Sequence, residues 1–174
     1  MALILAGAPA GTFSAYAIAL QDFGLPEPPQ DATFFLPVRS LCLEELAMAA
    51  PLSDAIPAGA RFVASWPNGS VASCEMNGDE LRSIVQGDDA RILLNAMHLV
   101  LSLDAVRQRD YEVYLLSMPG AQREALCLVP VQGGSTLIAP VGEADILTEA
   151  TFIQQNAAIA RRRLSLTCSE RVCS

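Results

Sequence analysis

The strongest local constraint in this chain is a pair of strand-like runs joined by a tight turn. Arg61-Phe-Val-Ala-Ser-Trp66 and Ser70-Val-Ala-Ser-Cys-Glu-Met76 flank Pro67-Asn68-Gly69. Apolar, β-branched and aromatic side chains favour a pleated sheet, and Asn-Gly accepts the positive φ values that a hairpin turn requires. A second hairpin is expected from Tyr111–Met118 and Glu124–Val131 around Pro119-Gly120, with a third strand, Ser135–Pro140, after Gly133-Gly134.

Helical periodicity fills the intervals. Ser40 is placed to cap a helix through Ala49 that buries Leu41, Leu43, Leu46 and Ala47 and stops before Pro51. Asp79 opens a short helical turn closed by Gly87, and Asp88 or Asp89 then caps a long helix to about Arg107. Leu93, Ala96, Met97, Val100 and Leu101 form its stripe, widened by Ile92, Leu99 and Leu103, so the helix is expected to be covered on more than one side. The last helix runs from about Glu143 to Leu164 with a seam of Ile146, Ala150, Ile153, Ala157, Ala160 and Leu164. Arg161, Arg162 and Arg163 then fall in its final turn, where cations oppose the helix dipole.

The first residues read as a buried strand, Ala2–Ala6, and a helix capped by Thr12 with Phe13, Tyr16, Ala17, Leu20 and Phe23 on one face. A hairpin pairing residues 2–6 with 14–20 is the rival reading, because Tyr16, Ile18 and Leu20 also alternate. Pro26–Gln30 is a stiff linker, and Thr33–Val38 is strand-like. The expected fold class is α+β, an antiparallel sheet flanked by helices, divided into an N-terminal extension (1–35), a main domain (36–165) and a C-terminal tail (166–174).

Composition then excludes several classes. The 174 residues are 52% hydrophobic and 17% charged, against about 25% charged in average soluble chains. All eleven bases are arginine, and nineteen acids give a net charge of −8, which opposes binding to a phosphate backbone. Residues 2–21 carry no charge, but Gly7, Pro9, Gly11, Thr12 and Ser14 dilute the run and no base precedes Arg39. A membrane span or signal peptide is therefore not expected, and a cytoplasmic location is.

Candidate chemistry is sparse. Cys42, Cys74, Cys127, Cys168 and Cys173 form no C-x-x-C pair, and the first three sit among apolar neighbours as core residues would. Gly7-Ala-Pro-Ala-Gly11-Thr12 resembles a phosphate loop only loosely, since the glycines are one residue too close and the lysine is missing. His98 lies between Met97 and Leu99 in an apolar helix, so a packed or partly buried ring is expected. The acid pairs Glu44-Glu45, Asp79-Glu80 and Asp88-Asp89 sit near helix beginnings and suit the dipole. Asn68-Gly69-Ser70 is a glycosylation sequon that matters only in a secreted chain. No catalytic residue, cofactor or metal ligand is assigned. The candidate interaction residues are Trp66, Val100, Ile153, Ala157, Arg161 and Arg162.

From Ser40 onward the expected order is helix, two strands, helix, three strands, helix. That order, with Phe62-Val-Ala-Ser-Trp-Pro-Asn-Gly-Ser-Val-Ala72, Leu126-Cys-Leu-Val-Pro-Val131 and Ser135-Thr-Leu-Ile-Ala139, resembles the Roadblock (dynein light chain) family of the profilin-like folds over residues 40–165. PAS- and GAF-type sensor domains share similar orders. The Roadblock resemblance implies a non-enzymatic module that forms homo- or hetero-oligomers and serves as a platform for protein partners, including small GTPases. The first forty residues and the cysteine-bearing tail depart from the family, and no set of GTPase-contacting residues carries over. The alternatives are a small-ligand sensor and a nucleotide-binding enzyme built on the 7–12 loop.

Overall fold

The computed structural model of the chain describes residues 3–4 and 11–172, with side chains from 11 to 166. It is an α+β fold built on one mixed sheet of nine strands. The strands are β1 (Leu3–Ile4), β2 (Thr33–Ser40), β3 (Ile56–Ser65), β4 (Val71–Asn77), β5 (Glu80–Gln86), β6 (Tyr111–Met118), β7 (Arg123–Pro130), β8 (Leu137–Pro140) and β9 (Leu147–Thr148). Their order is β5-β4-β3-β2-β6-β7-β8-β9. Two antiparallel meanders thus run outward from a central parallel pair, in which Val38, Arg39 and Ser40 face Leu115, Leu116 and Ser117. β1 lies parallel to β6 at Tyr111 and Glu112, beyond the stretch that β2 pairs.

Side chains alternate between the two faces of a strand, and the register carries that alternation across the sheet. One face presents Leu36, Val38, Val63, Val71, Val113, Leu115, Leu126, Leu128 and Ala139. Helix α3 (Asp88–Ser102) covers it with Ala90, Leu93, Leu94, Met97 and Val100. The opposite face is covered in two parts. Helix α1 (Thr12–Asp22) lays Tyr16 and Leu20 on Phe62, Ala64, Ala72, Cys74 and Met76. Helices α2 (Leu43–Ala47) and α5 (Glu149–Val172) cover Leu116, Ala125, Cys127 and Ile138 with Leu46, Phe152 and Ala160. Each large side chain so buried contributes roughly 1.5–3 kcal/mol.

The sheet is strongly twisted. Arg61 on β3 and Glu124 on β7 lie three strands and four residues apart in the register, about 20 Å in a flat sheet at ordinary spacings. Their side chains nevertheless meet at 2.9 Å. Twisting brings these corners together on the α3 face, where Arg61 also reaches Glu75 at 3.2 Å.

Several expected elements are revised. Residues 80–86, expected as a helical turn, form strand β5, because Gly78-Asp79, with Gly78 at φ 60, makes a two-residue turn between Asn77 and its partner Glu80. Ser40 caps no helix, since parallel pairing with β6 extends β2 through it. The helix shrinks to Leu43–Ala47 with Cys42 as its cap, whose sulfur accepts the Glu45 N–H at 3.4 Å. The long helix starts after Gly87 rather than at an aspartate cap and breaks at Leu103 (ψ 132), leaving α4 (Asp104–Gln108) as a separate turn. At the C-terminal end, Leu147–Thr148 pairs with β8, and α5 runs from Glu149 to Val172. The arginines therefore lie in mid-helix and oppose no terminal dipole. The helix reading of residues 12–23 agrees with α1, but Gly11 at φ 92 is its N-cap without a side-chain bond, Thr12 is its first helical residue rather than its cap, and Phe23 is exposed beyond its end.

Candidate interaction surface

The residues singled out in the sequence do not form one surface. Val100 and Ala157 are fully packed in the core, at 0% and 2% exposure. Trp66 is 8% exposed, and its indole N–H donates to the Glu27 carbonyl oxygen at 3.1 Å, pinning the proline-rich linker to the sheet. Ile153 is half-buried against the α2/α5 core, where α5 buries Phe152, Asn156 and Ala160 rather than the whole expected seam; Ala150 is exposed. Arg161 donates through Nε to the Ala47 carbonyl oxygen at 2.8 Å, tying α5 to the end of α2, while Arg162 is exposed. Most of this set thus stabilises the fold.

What the sequence missed is the outward side of α3. Ile92, Asn95 and Leu99 follow one another at spacings that keep side chains on one side of a helix. With Ala96 and the loop Gly142–Ala144 they line a largely apolar groove of about 380 Å³. Ile92 is 42% exposed and Leu101, on the flank, 36%. Glycine suits the first residue of this loop because the backbone there has φ 87; a Cβ at Gly142 would make only ordinary contact with Ile92 Cγ2, at 3.6 Å. The signal was present in the excess width of the helix stripe, since Ile92 and Leu99 lie outside the arc that reaches the sheet.

Two further clefts carry charged side chains. At the end of β7 and β8, Ser117, Glu124, Arg123 and Glu143 line about 590 Å³. There Arg123 pairs with Glu143 and approaches the Oδ1 of buried Asn156 at 3.4 Å, so the charges fasten the 141–146 loop. A cleft of about 250 Å³ beside the start of α5 holds Glu112, Glu149, Tyr114 and Arg39, whose guanidinium lies 5.1 Å above the Tyr114 ring. The Glu149 carboxylate accepts the Leu52 N–H at 3.1 Å.

Nucleophilic chemistry finds no assembled centre among the described residues. Burial pushes the Cys74 and Cys127 thiols up to about 12, so both are protonated and unreactive at neutral pH. His98 is exposed rather than packed, with its ring edge-on to Phe34 at 6.2 Å. It sits on the α3 side of the sheet, whereas both thiols lie on the opposite face, so no Cys–His pair forms. Cys42 is an exposed helix cap instead of a core residue. No group of three His, Cys, Asp or Glu side chains among the described residues is arranged for a metal ion, and no described helix is long and apolar enough to cross a membrane. Gly11 precedes α1 with φ 92, while the rest of the glycine loop and the side chains of Cys168 and Cys173 lie outside the described residues.

No protein-family model, curated protein or solved structure matches the chain.

Proposed function

We propose that this protein is a non-enzymatic association module that pairs with a second copy of itself through the outer side of α3. The observation that carries the reading is the apolar groove of Ile92, Ala96 and Leu99 beside Gly142–Ala144. The stripe is nearly symmetric about Asn95 and Ala96. Antiparallel packing of two copies sets Ile92 of one against Leu99 of the other, with the small Ala96 allowing close approach and Asn95 meeting polar groups near the axis. That self-complementarity is what a two-fold interface requires. Apolar residues clustered on one solvent-facing stripe of an otherwise acidic chain also mark a surface built to be covered.

Sedimentation velocity on Leu99→Asp and Ile92→Asp tests the reading. Each variant is expected to keep the circular dichroism of the parent and sediment as a monomer at concentrations where the parent is dimeric. A parent that dimerises equally well with either aspartate in place overturns it. Val100→Asp is not a usable probe, because Val100 is core and its charge would unfold the monomer.

A further inference from the structure

β4 is bracketed by two exposed turns, each with an Asn-Gly dipeptide, Asn68-Gly69 before it and Asn77-Gly78 after it. Asn-Gly is the dipeptide most open to succinimide chemistry, because glycine places no side chain in the way of its own nitrogen. The two turns differ in what surrounds the asparagine carbonyl. Asn68 Oδ1 accepts two hydrogen bonds, from the Ser70 N–H at 3.0 Å and from the Ser70 hydroxyl at 2.6 Å. Asn77 carries no such side-chain bond among the described residues; it is simply the last β4 residue paired with Glu80.

We propose that Asn68 is a site of spontaneous covalent modification, at which the Ser70 donors act as an oxyanion hole for intramolecular deamidation. The Gly69 N–H first leaves the Trp66 carbonyl oxygen and the nitrogen gives up its proton; it then bonds to Asn68 Cγ, and negative charge develops on Oδ1 where the two donors already point. The amide proton and the carboxamide NH2 leave together as ammonia, closing a five-membered succinimide. Water then opens the ring. Addition at Cγ restores a normal backbone with aspartate at position 68; addition at the main-chain carbonyl leaves isoaspartate, with the chain running through the side chain. Solvent water is the only co-reactant, and nothing is oxidised or reduced.

The isoaspartate product has structural consequences. The Gly69 carbonyl oxygen accepts a hydrogen bond from Arg91 at 2.7 Å, which ties the turn to the first part of α3. An extra backbone carbon between Trp66 and Ser70 lengthens the turn, which the Gly69 N–H bond to the Trp66 carbonyl oxygen closes at 2.9 Å, and displaces that tie.

The test is incubation of the folded chain at mildly alkaline pH, followed by peptide mapping that separates aspartate and isoaspartate at each site. Trypsin leaves both turns in one peptide, between Arg61 and Arg82, and a second cut after Glu75 separates them. Asn77 serves as the internal control. Asn68 is expected to convert faster than Asn77 in the folded protein, and at a similar rate in urea-unfolded protein. Ser70→Ala should slow Asn68 roughly three- to tenfold, below the about hundredfold worth of a buried oxyanion donor because the turn is exposed. Ser70→Thr should retain the fast rate, and Asn77 should be unchanged in both variants. Asn68 converting no faster than Asn77 in the folded chain, or an undiminished Asn68 rate in Ser70→Ala, would overturn the proposal.

Discussion

The two halves of the sheet each set a tyrosine beside a buried cysteine and treat the pair differently. In the first half, Tyr16 of α1 lies near Cys74 and stacks on Phe62 at 4.3 Å, and its hydroxyl is buried without a partner. In the second half, the Tyr114 hydroxyl reaches the Cys127 thiol while Arg39 lies over its ring. The contrast extends to the helices. No hydrogen bond or ion pair links α1 to the sheet among the described residues. The α2/α5 layer is fastened by Glu149 to Leu52, Arg161 to Ala47 and Arg163 to Gly120. One helix is held by apolar area, the other by area and directional bonds. Apolar burial alone fixes a helix's position less uniquely, so α1 should be the first element to open.

The largest expected effect comes from removing the ring under α1. Phe62→Ala should cost about 3–5 kcal/mol in urea unfolding and strip hydrogen-exchange protection from α1 before α5. Equal loss of protection in both helices would break the contrast.

A smaller effect follows from the buried thiols. The folded chain keeps Cys74 and Cys127 protonated up to about 12, against 9.0 for an ordinary thiol. This contribution is fully present below about pH 9 and is lost as pH rises from there toward about 12, because only the unfolded chain has released the protons. Stability should therefore fall above about pH 9, and Cys74→Ala should flatten that fall. An unchanged pH dependence in Cys74→Ala would show that its burial does not matter.

The finest test is the tyrosine pair. Tyr114→Phe should cost about 1 kcal/mol by removing a hydroxyl that has a partner, whereas Tyr16→Phe should be neutral or slightly stabilising by removing one that has none. Equal costs in thermal unfolding would mean that Tyr16 finds a partner after all.

The legible parts of this fold are those written in short-range chemistry. Asn68-Gly69 declares its hairpin, the alternation from Tyr111 to Val131 declares the next one, and the stripe of Leu93, Met97 and Val100 declares α3. Asn77-Gly78 carries the same signal as Asn68-Gly69, but the acids after it look like a helix start and mask it. The central β2/β6 pairing and the Arg61–Glu124 contact join residues far apart in the chain, and no local pattern reports them. The candidate surface is half visible: Ile92 and Leu99 stand out as apolar, but only packing separates the side of α3 that meets the sheet from the side that does not. Val100, one residue from Leu99, shows how a single helical step moves a side chain from surface to core.

Association through α3 is tested most directly by sedimentation equilibrium of the unmodified chain across a range of concentration and salt. A reversible monomer–dimer equilibrium is expected in the micromolar range. It should tighten as salt screens the repulsion between two copies that each carry a net charge of −8. A single monomeric species at every concentration and salt level would contradict the proposed association.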